Sequence, residues 1–423
     1  MIEALCRRRQ QIGQIEILAA LVPYLSLPDE FAGADVIGVI DVQIKGATSF
    51  TVNSFSDTID INPGDGYVKD SSNYTTLRAA IQEANTLAGA NTINLPQGTY
   101  LLSRAGADED QSLTGDLDIL DNLTIIGDGS VFIDAGSLDR VFDVANGVTF
   151  ELEGVTLIGG DVEQEGAALR NRGGDVRILS STLTGNEAGN GGALANLQGG
   201  ALSLLHSTVS GNTAAIGGGI YNAGNNLEIV SSTITNNGAV QGGGIQNQSG
   251  QVELTSTIVA GNNATNSNND LKGAYVSGGH NLIGDLADAT GLANGSNHDL
   301  VGSTQSPLDA MLGPLAPNYG TNWSHVPQFG SPAIDAGKIT TRAMDQRGIA
   351  MPQDGTGNRI AAADIGAIER YYVTLRGQKY HDTNNNGRKD AGEEGISGWA
   401  IFLDANTNQQ YDAGETLQIT DEQ

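Results

Sequence analysis

The sequence predicts an all-β fold, a parallel β-helix of coils about 25 residues long, and three observations lead there. First, one phrase recurs: Thr156-Leu157, Ser181-Thr182-Leu183-Thr184-Gly185-Asn186, Ser207-Thr208-Val209-Ser210-Gly211-Asn212, Ser232-Thr233-Ile234-Thr235-Asn236-Asn237 and Ser256-Thr257-Ile258-Val259-Ala260-Gly261-Asn262. Its threonines lie 26, 26, 25 and 24 residues apart. Second, the segments alternate apolar and polar side chains, as in Val176-Arg177-Ile178, Leu202-Ser203-Leu204, Leu227-Glu228-Ile229 and Val252-Glu253-Leu254. A period of two means strand. Third, glycine or asparagine separates the segments, and none reaches the ten or so residues that a helix needs. Three short strands per coil, with coils stacked about 4.8 Å apart, then place Leu157, Leu183, Val209, Ile234 and Ile258 in one inward aliphatic column.

A second phrase lies between the copies, in Gly191-Gly192-Ala193-Leu194-Ala195-Asn196, Gly218-Gly219-Ile220-Tyr221-Asn222 and Gly243-Gly244-Ile245-Gln246-Asn247. With Asn171, its asparagines form a column at a bend, where amides can hydrogen-bond coil to coil and where asparagine tolerates a left-handed backbone. The coils are expected over 96–300 and a closing segment over 301–370. Ahead of them, 50–95 reads as an N-terminal cap. It holds a helix near Thr75–Asn85, with Leu77, Ala80, Ile81 and Ala84 on one face and Thr75 or Thr76 as its cap. Solenoids need such a unit to cover the open end of the stack.

Composition narrows the functional classes. Hydrophobic residues make up 39% of the 423 positions, enough for a core, and charged residues only 17%. The net charge of −28 opposes binding to nucleic acid or anionic lipid and favours divalent cations. The single cysteine, Cys6, allows neither an intrachain disulfide nor a cysteine metal cluster. No run of 18 or more apolar residues is present, so no spanning helix is expected. Residues 1–49 form a leader or unassigned segment. There, Arg7, Arg8 and Arg9 precede an apolar stretch from Ile12 to Leu27, interrupted by Gln14, Glu16 and Pro23, and this has the outline of a secretory signal.

Several of these phrases resemble known families. Tyr74-Thr75-Thr76-Leu77-Arg78-Ala79-Ala80-Ile81 resembles the bacterial repeat unit named after its Cys-Ser-Leu-Arg-Glu-Ala motif, with the cysteine and serine replaced. The Gly-Gly-x-Ile phrases resemble chlamydial polymorphic outer-membrane protein repeats. Ser331-Pro332-Ala333-Ile334-Asp335-Ala336-Gly337, Asp345-Gln346-Arg347-Gly348 and Asp364-Ile365-Gly366-Ala367-Ile368-Glu369 resemble the closing segment of surface proteins grouped as "choice-of-anchor Q". These likenesses span about residues 50–370. They imply a right-handed, pectate-lyase-like β-helix displayed outside a bacterial cell.

The C-terminal region, 371–423, carries a different signal. Asp382-Thr383-Asn384-Asn385-Asn386-Gly387-Arg388-Lys389-Asp390-Ala391-Gly392-Glu393 fits the calcium-loop pattern D-x-[DN]-x-[DN]-G-x5-E. Oxygen donors at alternate positions wrap one ion, glycine permits the turn, and the last carboxylate binds with both oxygens. The expected ligands are Asp382, Asn384, Asn386, Asp390 and Glu393, with the Arg388 carbonyl. Twenty-two residues on, Asp404, Asn406, Asn408, Gln410, Asp412 and Glu415 repeat the frame, with Gln409 in place of the glycine. The flanks Tyr371 to Arg376 and Ile396 to Leu403 read as strands, so this is not a helix-loop-helix hand. The region resembles part of a B-type module of serine-aspartate-repeat adhesins, a β-sandwich that calcium stiffens.

The expectation is therefore a secreted or cell-surface, adhesin-like structural protein, monomeric, with calcium in its C-terminal module. Its partners would be host, cell-surface or polysaccharide ligands. The rival is a β-helix carbohydrate-active enzyme, a polysaccharide lyase or glycoside hydrolase. Such an enzyme needs paired carboxylates, or a calcium-bound carboxylate cluster beneath a basic residue. The stacked Arg177, Ser203, Glu228 and Glu253 read instead as a solvated face. His206 reads as a turn or surface residue, and Asp270 and His280 lie in the irregular stretch 263–300.

Overall fold

The computed structural model describes residues 48–107, 109–320, 322–340, 342–372, 377–404, 408–412 and 416–421. The leader over 1–49 therefore falls almost wholly outside the described residues. What is described is a parallel β-solenoid followed by a small antiparallel sheet. Each central coil contains four short strands rather than three. Asp175–Leu179, Thr182–Thr184, Glu187–Asn190 and Leu194–Asn196 make one coil, and Ala201–Leu205 opens the next. The strand not anticipated, Glu187–Asn190, begins a four-stranded sheet continued by Thr213–Ile216, Gly238–Gln241 and Asn263–Ser267. Its inward residues Ala188, Ala214 and Ala239 contribute little bulk, so it leaves a weak hydrophobic signature.

The inward column is Leu157, Leu183, Val209 and Ile234, each paired in register with the next. It continues through Val259, not the expected Ile258. Aligning the last copy on its Ser-Thr dipeptide places it one residue out of step, because Thr257, not Ser256, occupies the place of Ser232 and receives the backbone N–H of Ser232 at 3.4 Å. A one-residue shift exchanges the two faces of a strand. Ile258 consequently stands in the threonine column, opposite Thr233, and packs into a second small core with Ala260, Leu282, Ala310, Ala333 and Ile365.

The bends are held by side-chain ladders. Asn171, Asn196, Asn222 and Asn247 are buried, and each Nδ2 donates to the Oδ1 of the next at 2.9–3.0 Å. A second ladder, not expected from the sequence, runs Asn186, Asn212, Asn237 and Asn262, each step 2.9 Å, and ends on Asp270 at 2.8 Å. In a third, backbone N–H groups donate to Ser207, Ser232, Thr257 and Asn281 in turn, and Asn281 donates to Asp299. Buried backbone groups at a bend cannot pair within their own coil, so a side chain from the neighbouring coil must satisfy them.

The helix, α1 (Leu77–Ala84), is buried along its whole length, with Thr76 as N-cap accepting from Ala79 N at 3.2 Å. Its apolar side chains join the solenoid core beside Ile93, Leu95 and Ile119. Its polar residues secure the cap. Arg78 is ion-paired to Asp57 and donates to the carbonyls of Gly115 at 2.8 Å and Asp116 at 2.9 Å. Glu83 receives the backbone N–H groups of Gly64 and Gly66.

Residues 308–370 return along the threonine column and cover it. Thr156, Thr182, Thr208 and Thr233 bond to Asn322, the Trp323 carbonyl, Gln346 and the Ala367 N–H respectively. Gly366, at φ +104°, approaches so closely that a β-carbon would lie 2.8 Å from Thr233 and Ile258. His206, expected in a turn or at the surface, is in a left-handed turn but buried, and neither ring nitrogen has a partner among the described residues.

Two outcomes are expected. Asn212→Ala removes the acceptor for two donors of Asn186 and should cost at least about 2 kcal/mol in denaturant unfolding. Thr213→Ala, on the exposed face, should stay within about 0.5 kcal/mol. Burial, aided by the Arg342 charge, lowers the His206 pKa to about 4. The unfolded chain therefore binds the extra proton first, and stability falls as pH drops from about 6.5 to about 4. His206→Ser, matching Ser180, Ser231 and Ser256 at the same left-handed position, should remove a component on the order of 3 kcal/mol from that pH dependence.

Candidate metal centre

The two C-terminal loops are built on antiparallel pairing. Tyr380 bridges Gly395 across the first loop, and strands Ala400–Phe402 and Leu417–Ile419 pair across the second. Of the expected flanking strands, Ile396 to Leu403 appears as Ala400–Phe402, while residues 373–376 lie outside the described residues. Among the described residues of this region, regular strand structure is limited to that two-stranded antiparallel sheet.

In the first loop the donor side chains converge. Asp382 accepts the backbone N–H groups of Asn386 at 3.2 Å and Gly387 at 2.8 Å, and these hold its carboxyl below the usual range. Asn384 and Asn386 both turn their Nδ2 to Asp390 Oδ2, at 2.6 and 2.7 Å. Glu393 closes the ring, accepting from Thr383 N and Asp390 N at 2.9 Å each. Rotating the two amides would turn their Oδ1 atoms, in place of Nδ2, toward the side of Asp390. Arg388 contributes its backbone at the seventh position, its N–H donating to Asn386 Oδ1 at 2.7 Å.

The second loop repeats the plan. Asp404 accepts from Asn408 N at 3.1 Å and Gln409 N at 2.7 Å, Asn408 Nδ2 donates to Asp412 at 2.6 Å, and Gln410 N donates to Asn408 at 2.8 Å. Asn406 and Glu415 lie outside the described residues. Gln409 stands at φ +62°, in the left-handed conformation that Gly387 takes at φ +74°. The frame is therefore preserved at the expense of strain in a residue with a β-carbon.

The structure also assembles an acidic cluster that the sequence reading missed. Asp118, Asp143 and Arg170 are register neighbours on the seven-stranded sheet, on strands Leu117–Ile119, Phe142–Val144 and Leu169–Asn171. The 103–116 loop adds Asp110 and Asp116, and Arg140 and Arg172 flank them. Arg140 meets Asp116 at 2.8 Å. Arg170 Nε donates to Asp143 at 3.2 Å. Arg172 bridges Asp110 at 3.2 Å and Asp143 at 3.1 Å, the latter an ion pair too bent to be a hydrogen bond. Burial, reinforced by neighbouring carboxylates, raises Asp116 to about 7 and Asp118 to about 8. The trace in the sequence is slight: a charged residue flanked by apolar ones in Leu117-Asp118-Ile119 and Phe142-Asp143-Val144, with nothing that marks Asp110.

The remaining candidates have structural surroundings. Arg177, Ser203, Glu228 and Glu253 form a register row on the outer face, with Arg177 paired to Glu151 at 2.6 Å. Asp270 ends a ladder, and burial raises it to about 6. His280 stacks on His298 at 4.6 Å and contacts the Ala336 carbonyl through Nδ1 at 2.8 Å. In the closing segment, Asp345 pairs with Arg347 at 2.7 Å. Glu369 receives Gln353 N at 2.6 Å and Asp364 N at 2.9 Å, while Asp364 receives Asp335 N at 2.7 Å. Burial raises Asp364 and Glu369 to about 7.

Fold and loops together define a parallel β-solenoid bearing a small acidic two-loop segment. No protein-family model matches the chain, and no curated protein matches it. A solved structure that it resembles is that of pectate lyase Pel9A, with 13% identity, 78% of this chain and 98% of that chain covered, and a TM-score of 0.36. A superposition that loose carries no argument about activity.

Proposed function

We propose that the chain is a secreted or cell-surface structural protein, adhesin-like, in which the solenoid is a rigid display element and the C-terminal loops bind calcium. The observation that supports this most is that the two twelve-residue loops share the same backbone-to-aspartate bonds and each turns an asparagine Nδ2 to an aspartate at its ninth position. Hard oxygen donors at alternate positions suit calcium, and calcium at that site would bring Asp390 and the two amides, now bonded to one another, onto one ion. Occupied in tandem, the loops would stiffen the segment that follows the solenoid. The acidic surface accords with a partner that is not a nucleic acid, such as a host-surface or polysaccharide ligand.

The carbohydrate-active alternative has its best material in the Asp118–Asp143–Arg170 cluster, where acids and guanidinium groups meet across adjacent coils. There Asp118 and Asp143 are at most 1% exposed, and the arginines are engaged with carboxylates. A sugar chain would have to displace the covering loop.

Calcium titration of the full chain by calorimetry tests the main reading. Binding at both loops is expected, with a rise in melting temperature. Asp382→Asn with Glu393→Gln should remove one equivalent, and Asp404→Asn with Asp412→Asn another. Unchanged heats in these variants would sink the calcium claim. Gln409→Gly relieves about 1 kcal/mol of left-handed strain; because Gln409 is already left-handed without an ion, calcium affinity at the second loop should stay within about threefold, measured on the chain in which the first loop is disabled.

A further inference from the structure

We propose that Asp110, Asp118 and Asp143 form a calcium site separate from the C-terminal loops, one that fastens the 103–116 loop to the flank of the first coils. One oxygen from each carboxylate lies within 4.8 Å of the other two. Calcium–oxygen bonds of 2.3–2.6 Å place ligand oxygens up to about 5 Å apart across one ion. The three donors therefore already span the first coordination sphere of one cation.

Charge points the same way. Asp110, Asp116, Asp118, Asp139 and Asp143 meet Arg140, Arg170 and Arg172, and Glu109 adds a further acid beside Asp118, so carboxylates outnumber guanidinium groups here. Each guanidinium is committed, to Asp116 and Asp139, to Asp143, or to Asp110 and Asp143, and none is paired with Asp118.

The independent observation is Asp118 itself. It is 0% exposed, its Oδ2 accepts Ser112 N at 2.7 Å, and its Oδ1 is buried without a partner among the described residues. A buried carboxylate oxygen left bare is costly, and nearly all such atoms find a partner. Here the missing partner is a cation that the neighbouring acids are placed to share. Asp118 and Asp143, adjacent in register on parallel strands, repel each other when both are ionised, and a shared cation would remove that repulsion.

The consequence is a calcium-dependent cap. Arg78 of α1 holds the loop from inside through the carbonyls of Ser112, Gly115 and Asp116. Through Asp110, the ion would hold it from outside, so calcium would add a second fastening to a loop that already covers the start of the seven-stranded sheet.

The test uses the full chain with both C-terminal loops disabled by Asp382→Asn, Glu393→Gln, Asp404→Asn and Asp412→Asn. Calorimetry should still show one equivalent of calcium bound, and saturating calcium should raise the melting temperature. Asp118→Asn, which keeps an acceptor for Ser112 N, should abolish that equivalent. Asp110→Asn, at an exposed position, should weaken it at least about tenfold while the calcium-free melting temperature stays unchanged. Glu228→Gln, on the outer face, should leave it intact. No residual equivalent in the loop-disabled chain, or one that survives both aspartate substitutions, overturns the proposal. Either result is separate from the fate of the C-terminal loops, which is read from the equivalents lost when they are disabled.

Discussion

Register between successive coils is the constraint on which the remaining structure depends. A single coil of four short strands has bends whose backbone groups cannot pair internally, and an apolar face too small to bury alone. Both needs are met only when the next coil repeats the same residues at the same places. The asparagine ladders make that condition strict, because a displaced amide would leave both its own hydrogens and its neighbour's acceptor unmatched inside the wall. The aliphatic column tolerates exchanges among leucine, valine and isoleucine, which is why it drifts in identity while the asparagines stay fixed.

This difference explains what could be read from the sequence and what could not. The strands, the core column and the bend asparagines repeat in composition, so the coils, α1 and the first ladder are visible without coordinates. The second ladder is spelled in the same residue type but sits in a turn, where asparagine is commonplace and carries little information. Glu187–Asn190 escaped because its single inward residue, Ala188, gives no hydrophobic period. Ile258 was misplaced because dipeptide similarity and coil register disagree by one position there. Of the candidate metal residues, the twelve-residue loops are contiguous and therefore legible. Asp110, Asp118 and Asp143 come together only through stacking, which sequence distance conceals.

The return of residues 308–370 over the threonine column gives the solenoid an inner and an outer sheath on one side. That segment has almost no regular secondary structure and is instead organised by buried acids receiving backbone N–H groups, notably Asp345, Asp364 and Glu369. The same device recurs at the N-terminal cap, where Glu83 receives the N–H groups of a turn, and in the C-terminal loops, where Asp382 and Asp404 do so. Carboxylates in this chain serve largely as anchors for irregular backbone. The large negative charge is in part the result of how many loops have to be held.

The ladders also have a direction. Each ladder asparagine passes one amide hydrogen to the side chain of the following coil, and two of the three series terminate in an aspartate, Asp270 or Asp299, which accepts hydrogens and, when ionised, has none to pass on. A gene duplication that copies a coil upstream of these residues would lengthen the stack with every donor and acceptor still in step. One placed downstream would begin against a carboxylate that offers no hydrogen. The two aspartates therefore mark where the count of coils stops, and variation in solenoid length should accumulate on their N-terminal side.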